Sequence, residues 1–226
     1  MPPPLDPHKD CPLHFAGPRL DQARLVVLAA HGRYGVAADI LKHAKPVGMA
    51  DVTWIAPQAA DRSWWGASFL APLADNEPGL ASACARLTAI TEDLASRGFG
   101  PDRIVLVGFS QGACLMLEHL ARNPMPWRGV VAMSGGLLGT SDGDGGTCDA
   151  LLGHAPKNFD YDSDLAGIPI NIGCHDADPV IPIARVQHSA DVLRELGADV
   201  TVNVCPGKMH GVLPSDLKAL RRFLTD

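Results

Sequence analysis

The chain has 226 residues, 46% of them hydrophobic and 19% charged, and a formal net charge of −6. This composition is typical of a globular protein with a sizeable core. Because the charge is only mildly negative and no block of basic residues occurs, we expect neither nucleic acid nor an anionic membrane surface as a partner.

The first part of the chain is rich in proline, and we predict residues 1–24 to be an irregular N-terminal arm with one short edge strand around residues 13–15. His8, Cys11 and His14 lie close together there, but no fourth ligand is evident, so we predict no metal site. The chain has no basic-then-apolar signal pattern, and no apolar run reaches the roughly 18 residues of a membrane span. The six cysteines form no CxxC pair. We therefore expect a cytoplasmic protein with reduced thiols and no membrane insertion.

From residue 25 onward, strand and helix patterns alternate. Apolar runs predict buried strands over residues 25–30, 52–56, 104–107, 129–133, 168–174 and 200–204. Helical patterns lie over residues 36–44, from Pro78 to just before Gly98, and over residues 113–120, 183–196 and 214–224. Parallel neighbours need crossover connections, so the alternation predicts an α/β fold with helices on both faces of a mostly parallel sheet. No interdomain linker is visible, and we predict residues 25–226 to be one domain.

The strand over residues 104–107 leads into the pentapeptide Gly108-Phe109-Ser110-Gln111-Gly112, and a helix follows it. A serine between a strand and a helix lies on a sharp, strained turn that exposes its hydroxyl at the edge of the sheet. The flanking glycines allow the strand and the helix to approach each other. We therefore predict Ser110 to be a catalytic nucleophile.

A serine hydroxyl needs a base to take its proton, and the base needs a third group to orient it. Two loops that follow strands, residues 173–182 and residues 206–211, carry such groups. The carboxyl ends of parallel strands meet at one edge of a sheet, so these loops are expected to converge on the serine. We predict His210 to be the base, with His175 as the alternative.

Two carboxylates compete for the third role. We prefer Asp178 to Asp176 because Asp178 precedes Pro179, which restricts the backbone beyond it. Asp178 also suits the N-cap of the following helix, a role that does not exclude the first. These residues follow one another along the chain in the order serine, acid, histidine.

Hydrolysis of an ester also needs N–H groups that bind the developing oxyanion. One candidate donor is the backbone N–H of Gln111, which follows the serine at a helix N-terminus. The second lies in the loop of residues 31–35, where we choose the backbone N–H of Arg33. His31 in this loop is either part of the site or a structural residue that holds the loop by hydrogen bonds.

Four segments together resemble the α/β-hydrolase superfamily: GFSQGA at residues 108–113, AHGRYG at 30–35, DADPVIP at 176–182 and PGKMHG at 206–211. More narrowly, they resemble its phospholipase/carboxylesterase branch, which includes the acyl-protein thioesterases, and within it a bacterial subgroup of small carboxylesterases. The resemblance implies an α/β-hydrolase domain and a cofactor-free serine esterase. It implies a triad of Ser110, Asp178 and His210, with oxyanion donors at Arg33 and Gln111.

Residues 58–76 are aromatic and irregular, which indicates a binding loop. The candidate substrate-binding residues are large apolar side chains in loops: Tyr34, Trp64, Trp65, Phe69, Leu137 and Met209, with Leu138, Phe159 and Tyr161 as further candidates. Aromatic walls beside Arg33 suggest a small acyl or aryl ester with a carboxylate that the Arg33 guanidinium clamps. Arg33 and Tyr34 replace the small or apolar residues of acyl-protein thioesterases, which argues against long acyl chains.

The sequence therefore predicts a serine carboxylesterase whose partner is a small-molecule ester, and it leaves a homodimer open. A thioesterase of the acyl-protein or acyl-CoA type is the alternative enzyme. A non-catalytic binding module on a hydrolase fold is a third hypothesis. Cysteine chemistry is not favoured, because helical Cys114 is expected to point away from the elbow and Cys174 ends a buried strand.

Overall fold

The computed structural model describes residues 6–140 and 147–225. Within these residues, seven strands form one sheet in the order β1-β3-β2-β4-β5-β6-β7. The strands are β1 (Leu13–Ala16), β2 (Leu25–Ala30), β3 (Val52–Pro57), β4 (Ile104–Phe109), β5 (Gly129–Met133), β6 (Pro169–His175) and β7 (Asp199–Cys205). The α-helices are α1 (Ala37–Leu41), α2 (Ala44–Val47), α3 (Gly79–Ser96), α4 (Gln111–Arg122), α5 (Ile183–Glu195) and α6 (Pro214–Thr225).

Strands β2 to β7 are parallel, and β1 pairs with β3 in the antiparallel direction at one edge. The predicted α/β class with a mostly parallel sheet is confirmed. Because the strands run in one direction, the segments that follow β2, β4, β6 and β7 all leave from the same edge of the sheet. None of the described helices is long and apolar enough to cross a membrane.

Alternate residues of the central strands contribute to two hydrophobic layers on opposite faces of the sheet. On one face, Val26 and Leu106 pack with buried residues of α3, α4 and α5. On the other face, Val27 and Val105 pack with buried residues of α1, α2 and α6. Because both faces are covered, these strands are continuous apolar runs in the sequence and do not alternate with polar residues.

Residues 6–24, the described part of the predicted N-terminal arm, include the strand β1 and the buried side chain of His8. β1 forms where a short edge strand is predicted. His8 is buried: its Nε2 donates to the carbonyl of Trp64 at 2.9 Å, and its Nδ1 accepts the N–H of Ala60 at 3.1 Å. Both ring nitrogens of His8 are thus engaged within the chain. Among the described residues, no group of three His, Cys, Asp or Glu side chains is placed to hold a metal ion.

The helix predicted over residues 36–44 is two short helices in the structure, α1 and α2. The sequence suggests Pro46 as the residue that stops the predicted helix, but Pro46 lies within α2. In the first turn of a helix the N–H groups have no intrahelical acceptor. A proline there therefore removes no hydrogen bond of the helix. The helix ends instead at Gly48, whose φ of 69° is left-handed and therefore favours glycine.

Candidate active site

Ser110 lies on the turn between β4 and α4. Its φ of 54° and ψ of −122° are unfavourable for a residue with a side chain, so the predicted strained turn is present. A Cβ at Gly112 would collide with the carbonyl of Ala30, and a Cβ at Gly108 would collide with the carbonyl of Gly112. The two glycines therefore permit the close crossing of strand and helix on which the position of Ser110 depends.

The structure brings Ser110, His210 and Asp178 together. Nε2 of His210 lies 2.8 Å from Oγ of Ser110, and Nδ1 lies 2.8 Å from Oδ2 of Asp178. An ionised carboxylate can only accept hydrogen bonds, so Nδ1–H of the imidazole donates to Asp178. Nε2 is then the acceptor for the serine hydroxyl, which is the tautomer that a general base requires.

Backbone donors hold the carboxylate of Asp178. Its Oδ1 accepts the N–H groups of Val180 at 2.8 Å and Ile181 at 3.0 Å, and its side chain is fully buried. The alternative acid, Asp176, instead accepts the N–H of Gly207 at 2.9 Å. The geometry thus favours Asp178 over Asp176 as the partner of the imidazole.

The ring of His210 packs against Phe109, with 5.1 Å between the ring centroids. His175, the alternative base, is buried, and its Nδ1 has no hydrogen-bond partner in the described part of the chain. His175 is the last residue of β6, whereas His210 lies in the loop after β7. His210 is therefore the histidine that the structure places at Ser110.

His31 holds the loop that follows β2. Its Nε2 accepts the N–H of Ala59 at 3.1 Å, and its Nδ1 lies 2.7 Å from the carbonyl of Gly32. Burial lowers the pKa of His31 below its ordinary value, which favours the neutral ring in this role. These contacts favour the structural interpretation of His31.

Two backbone N–H groups next to Ser110 are available to an oxyanion. Within residues 6–140 and 147–225, neither the N–H of Arg33 nor that of Gln111 donates a hydrogen bond to the chain. Gln111 is the first residue of α4, where the helix dipole favours negative charge. Gly32 brings the Arg33 loop close to the serine, since a Cβ at Gly32 would lie 3.2 Å from Cβ of Ser110.

A cavity of about 250 Å³ lies beside Ser110 and is called the acyl cavity below. Aromatic, aliphatic and polar residues line it together: Arg33, Trp65, Ser68, Phe69, Ser110, Gln111, Cys114, Val180 and Ile181. Of the predicted substrate-binding residues, Trp65 and Phe69 lie here. Nη2 of Arg33 donates to the carbonyls of Trp65, at 3.2 Å, and Ala67. This guanidinium therefore joins the loop of residues 31–35, called the oxyanion loop below, to the loop of residues 58–76, called the aromatic loop below.

Four predicted substrate-binding residues lie elsewhere. Trp64 and Leu137 are fully buried in the hydrophobic layer beneath α3, α4 and α5, and Nε1 of Trp64 donates to the carbonyl of His31 at 2.8 Å. We correct these two predictions, because these loop side chains pack into the core and do not border the cavity. Tyr34 and Met209 are 69% and 68% exposed and do not line the acyl cavity either. The further candidates pack in or against the same hydrophobic layer: Leu138, Phe159 and Tyr161.

Two buried polar side chains hold the aromatic loop in place: Asn76, which the sequence does not single out, and Gln111, for which the sequence predicts only a role of the backbone N–H. Oε1 of Gln111 accepts the N–H of Trp64 at 2.9 Å, and its Nε2 donates to the carbonyl of Trp65 at 2.9 Å. Asn76 accepts the N–H of Ala67 at 2.9 Å. The partners of Gln111 are more than forty residues away in sequence. No local pattern indicates such contacts, so sequence reasoning could not have found them.

Cys114 lines the acyl cavity, although the sequence suggested that it points away from the elbow. Its Sγ accepts the N–H of Gly136 at 3.4 Å. Burial raises the pKa of the Cys114 thiol to about 12, and burial likewise raises the pKa of Cys174 to about 12. Thiols that stay protonated at neutral pH are weak nucleophiles, which favours serine chemistry at this site.

Comparisons with known proteins agree with the fold. The family model described as phospholipase/carboxylesterase matches residues 23–144. A phospholipase/carboxylesterase structure from Dyadobacter fermentans is similar with 31% identity and a TM-score of 0.83, over 96% of this chain and 98% of its own. The Bacillus cereus carboxylesterase shares the fold at 18% identity and a TM-score of 0.70, over 95% of this chain and 93% of its own.

Curated relatives include acyl-protein thioesterases. Acyl-protein thioesterase 1 of Gibberella zeae is 33% identical over 127 residues, which are 56% of this chain and 49% of the relative. Its counterpart in Neurospora crassa is 26% identical over 152 residues, 67% of this chain and 57% of the relative. The chain thus spans about half the length of these two relatives. Because the family model matches more than half of its residues, the chain belongs to the phospholipase/carboxylesterase family of α/β-hydrolases.

Proposed function

We propose that this chain is a serine carboxylesterase that hydrolyses small acyl or aryl carboxylic esters through an acyl-enzyme intermediate. The observation that carries the proposal is the pair of 2.8 Å contacts that connect Ser110 to His210 and His210 to Asp178. A weak hydroxyl nucleophile, a base in the correct tautomer and a buried carboxylate that orients the base are the parts that acyl transfer requires.

In the proposed reaction, Oγ of Ser110 attacks the ester carbonyl while Nε2 of His210 takes its proton. The carboxylate of Asp178 stabilises the imidazolium that forms. The N–H groups of Arg33 and Gln111 bind the negative oxygen of the tetrahedral intermediate. The imidazolium then returns the proton to the leaving oxygen, and water repeats the sequence on the acyl-enzyme to release the acid.

The size of the acyl cavity supports a short acyl group. At about 250 Å³ it lies below the roughly 300–1,000 Å³ typical of cavities for drug-sized ligands. Trp65, Phe69 and Ile181 supply apolar surface for an alkyl chain or a ring. We expect kcat/KM for 4-nitrophenyl esters to decrease as the acyl chain lengthens from butyrate to octanoate. A preference for octanoate over acetate would contradict the small-acyl proposal.

The test of the nucleophile is Ser110→Ala. We expect this substitution to lower turnover of 4-nitrophenyl acetate by several orders of magnitude and to abolish labelling by a fluorophosphonate probe. Ser96→Ala is the matched control, since Ser96 is exposed and its hydroxyl donates only to the carbonyl of Asp93. Full activity of Ser110→Ala would overturn Ser110 as the nucleophile. No ester hydrolysis by the native chain would overturn the proposal and favour a non-catalytic binding module.

A thioesterase is the second candidate, and the relatives named acyl-protein thioesterases favour it. The same nucleophile, base and oxyanion donors would cleave an acyl thioester. The two activities are separated by measuring kcat/KM for a matched pair, the oxygen ester and the thioester of the same short acid with leaving groups of similar acidity. We expect the oxygen ester to react faster, and the reverse order would identify a thioesterase.

A further inference from the structure

The structure contains a second cavity on the other side of the oxyanion loop, larger than the acyl cavity. Its volume is about 390 Å³, and its walls combine loop, helix and elbow residues: Gly32, Arg33, Ile40, Lys42, Phe109 and Val212. We call it the leaving-group groove. We propose that it binds the alcohol portion of the ester, and that this alcohol has an apolar body and an anionic far end. The inference deepens the proposed esterase function and rests on it.

The groove lies beside residues that contact His210 or follow it in the chain. Phe109 lines the groove and packs against the His210 ring, with 5.1 Å between the centroids. Val212 lies two residues after His210 and also lines the groove. The imidazole that takes the serine proton must return it to the leaving oxygen, so the leaving group has to lie on the His210 side of the bond that breaks.

The oxyanion loop separates the two cavities. Arg33 borders both of them, and a Cβ at the adjacent Gly32 would lie 3.2 Å from Cβ of Ser110. Ser110 and Gln111 line only the acyl cavity, whereas Phe109 and Val212, next to the His210 ring and loop, line only the groove, which favours the acyl cavity for the acyl group. The groove on the opposite side of the loop is then the space that remains for the alcohol.

The walls of the groove define the chemistry of its occupant. Ile40, Phe109 and Val212 form an apolar part of the lining, and Lys42, whose side chain is 66% exposed, supplies a cation to it. Asp39 also lines the groove and lies 4.0 Å from Lys42, but an exposed pair at this distance is weak. The other oxygen of Asp39 accepts the N–H of Val36 at 2.9 Å. The ammonium therefore remains available to a ligand.

Two further basic residues near the groove, Arg62 and His43, differ in the positive charge that they contribute. Arg62 donates to the carbonyls of Tyr34 and Gly35, which places a second cation behind the oxyanion loop. Burial lowers the pKa of His43, which also lines the groove, and nearby Lys42 lowers it further. The imidazole of His43 is thus disfavoured as a cation. Arg33 and Lys42 give the lining two cations against the one carboxylate of Asp39, and Lys42 is the group that meets the anion.

Two esters with the same acetyl group separate the leaving-group groove from the acyl cavity. The acetyl ester of 3-hydroxybenzoate carries a carboxylate on its leaving group, and the acetyl ester of 3-hydroxybenzamide is its neutral counterpart. The quantity measured is the ratio of their kcat/KM values in the native chain, in Lys42→Met and in Lys45→Met. Lys45 is the matched control, because it is an exposed lysine of α2 that does not line the groove.

We expect Lys42→Met to lower the carboxylate-to-carboxamide ratio about threefold to fivefold, the effect of an exposed ion pair, and this loss to shrink in high salt. Lys45→Met is expected to keep the native ratio. An unchanged ratio in Lys42→Met, or an equal loss in Lys45→Met, would overturn the inference while leaving the esterase proposal intact. If the native chain hydrolyses neither ester nor 4-nitrophenyl acetate, the proposed function fails and the inference with it.

A third substrate tests whether the groove binds the acyl portion of the ester and not the leaving group. The 4-nitrophenyl hemiester of succinate carries its carboxylate on the acyl portion. If Lys42→Met lowers the ratio of this substrate to 4-nitrophenyl acetate instead, the acyl portion lies in the groove and the assignment of the two cavities is reversed. Circular dichroism of each variant verifies that the fold is retained.

Discussion

The hydroxyl of Ser134 donates a 2.9 Å hydrogen bond to the carbonyl of Gly211, the residue that follows His210. Ser134 is fully buried directly after β5, with a left-handed φ of 51°, and its N–H donates to the carbonyl of Gly173 at 2.7 Å. This serine therefore connects the ends of β5 and β6 to the loop that carries the proposed base.

Ser134→Ala is expected to lower kcat for 4-nitrophenyl acetate about tenfold with little change in KM. Without the hydroxyl the Gly211 carbonyl loses its donor, and small displacements of a base are enough to slow proton transfer. Thr53→Val is the control, because it removes a 2.7 Å bond from a buried hydroxyl to the carbonyl of Pro18, away from the site. Equal losses of kcat in the two variants would contradict a positioning role.

Arg33→Ala is expected to lower kcat/KM for 4-nitrophenyl acetate and for the succinate hemiester to the same extent. The guanidinium joins the oxyanion loop to the carbonyls of Trp65 and Ala67, so its loss loosens the site for every substrate. A selective loss for the hemiester would instead support the carboxylate clamp that the sequence suggests. Steady-state kinetics of the two substrates with the same variant decides between these outcomes.

Gly112→Ala is expected to destabilise the fold by about 1–3 kcal/mol or more, because the added Cβ collides with the carbonyl of Ala30 and the backbone must shift. Gly66→Ala is the matched substitution, since a Cβ at Gly66 meets no atom within 4 Å. Urea unfolding of both variants measures the difference. Similar free energies of unfolding would show that the elbow tolerates a wider crossing of strand and helix.

His119 is expected to make the protein less stable as the pH falls. Burial lowers the pKa of this imidazole from 6.5 to about 4, so the unfolded chain binds a proton between these values while the folded chain does not. The native chain should therefore lose up to about 1.4 kcal/mol of unfolding free energy per pH unit, relative to His119→Phe. Urea unfolding of both proteins at pH 7, 6 and 5 measures this difference. A difference that stays constant across the three pH values would contradict the expectation.

The sequence by itself determined the order of the elements and the strongest members of the site. Strands buried on both faces are continuous apolar runs, and the helices after them are periodic, so β2 to β7 and α3 to α6 were predictable. Ser110 could be identified because the elbow is a local motif in which a strand, a strained serine and a helix are consecutive. The loops of Asp178 and His210 follow strands of one parallel sheet, which predicts the edge at which they meet.

Only the tertiary structure decided which large side chains border the cavity. Trp64 and Trp65 are neighbours in the same loop and both pack in the core, yet only Trp65 also lines the acyl cavity. The choice depends on long-range hydrogen bonds, such as those of Gln111 to this loop, which leave no pattern in the sequence. The contact of the Ser134 hydroxyl with Gly211 and the leaving-group groove could not be predicted from the sequence for the same reason. Each is formed by segments that are distant along the chain and meet only after the sheet has assembled.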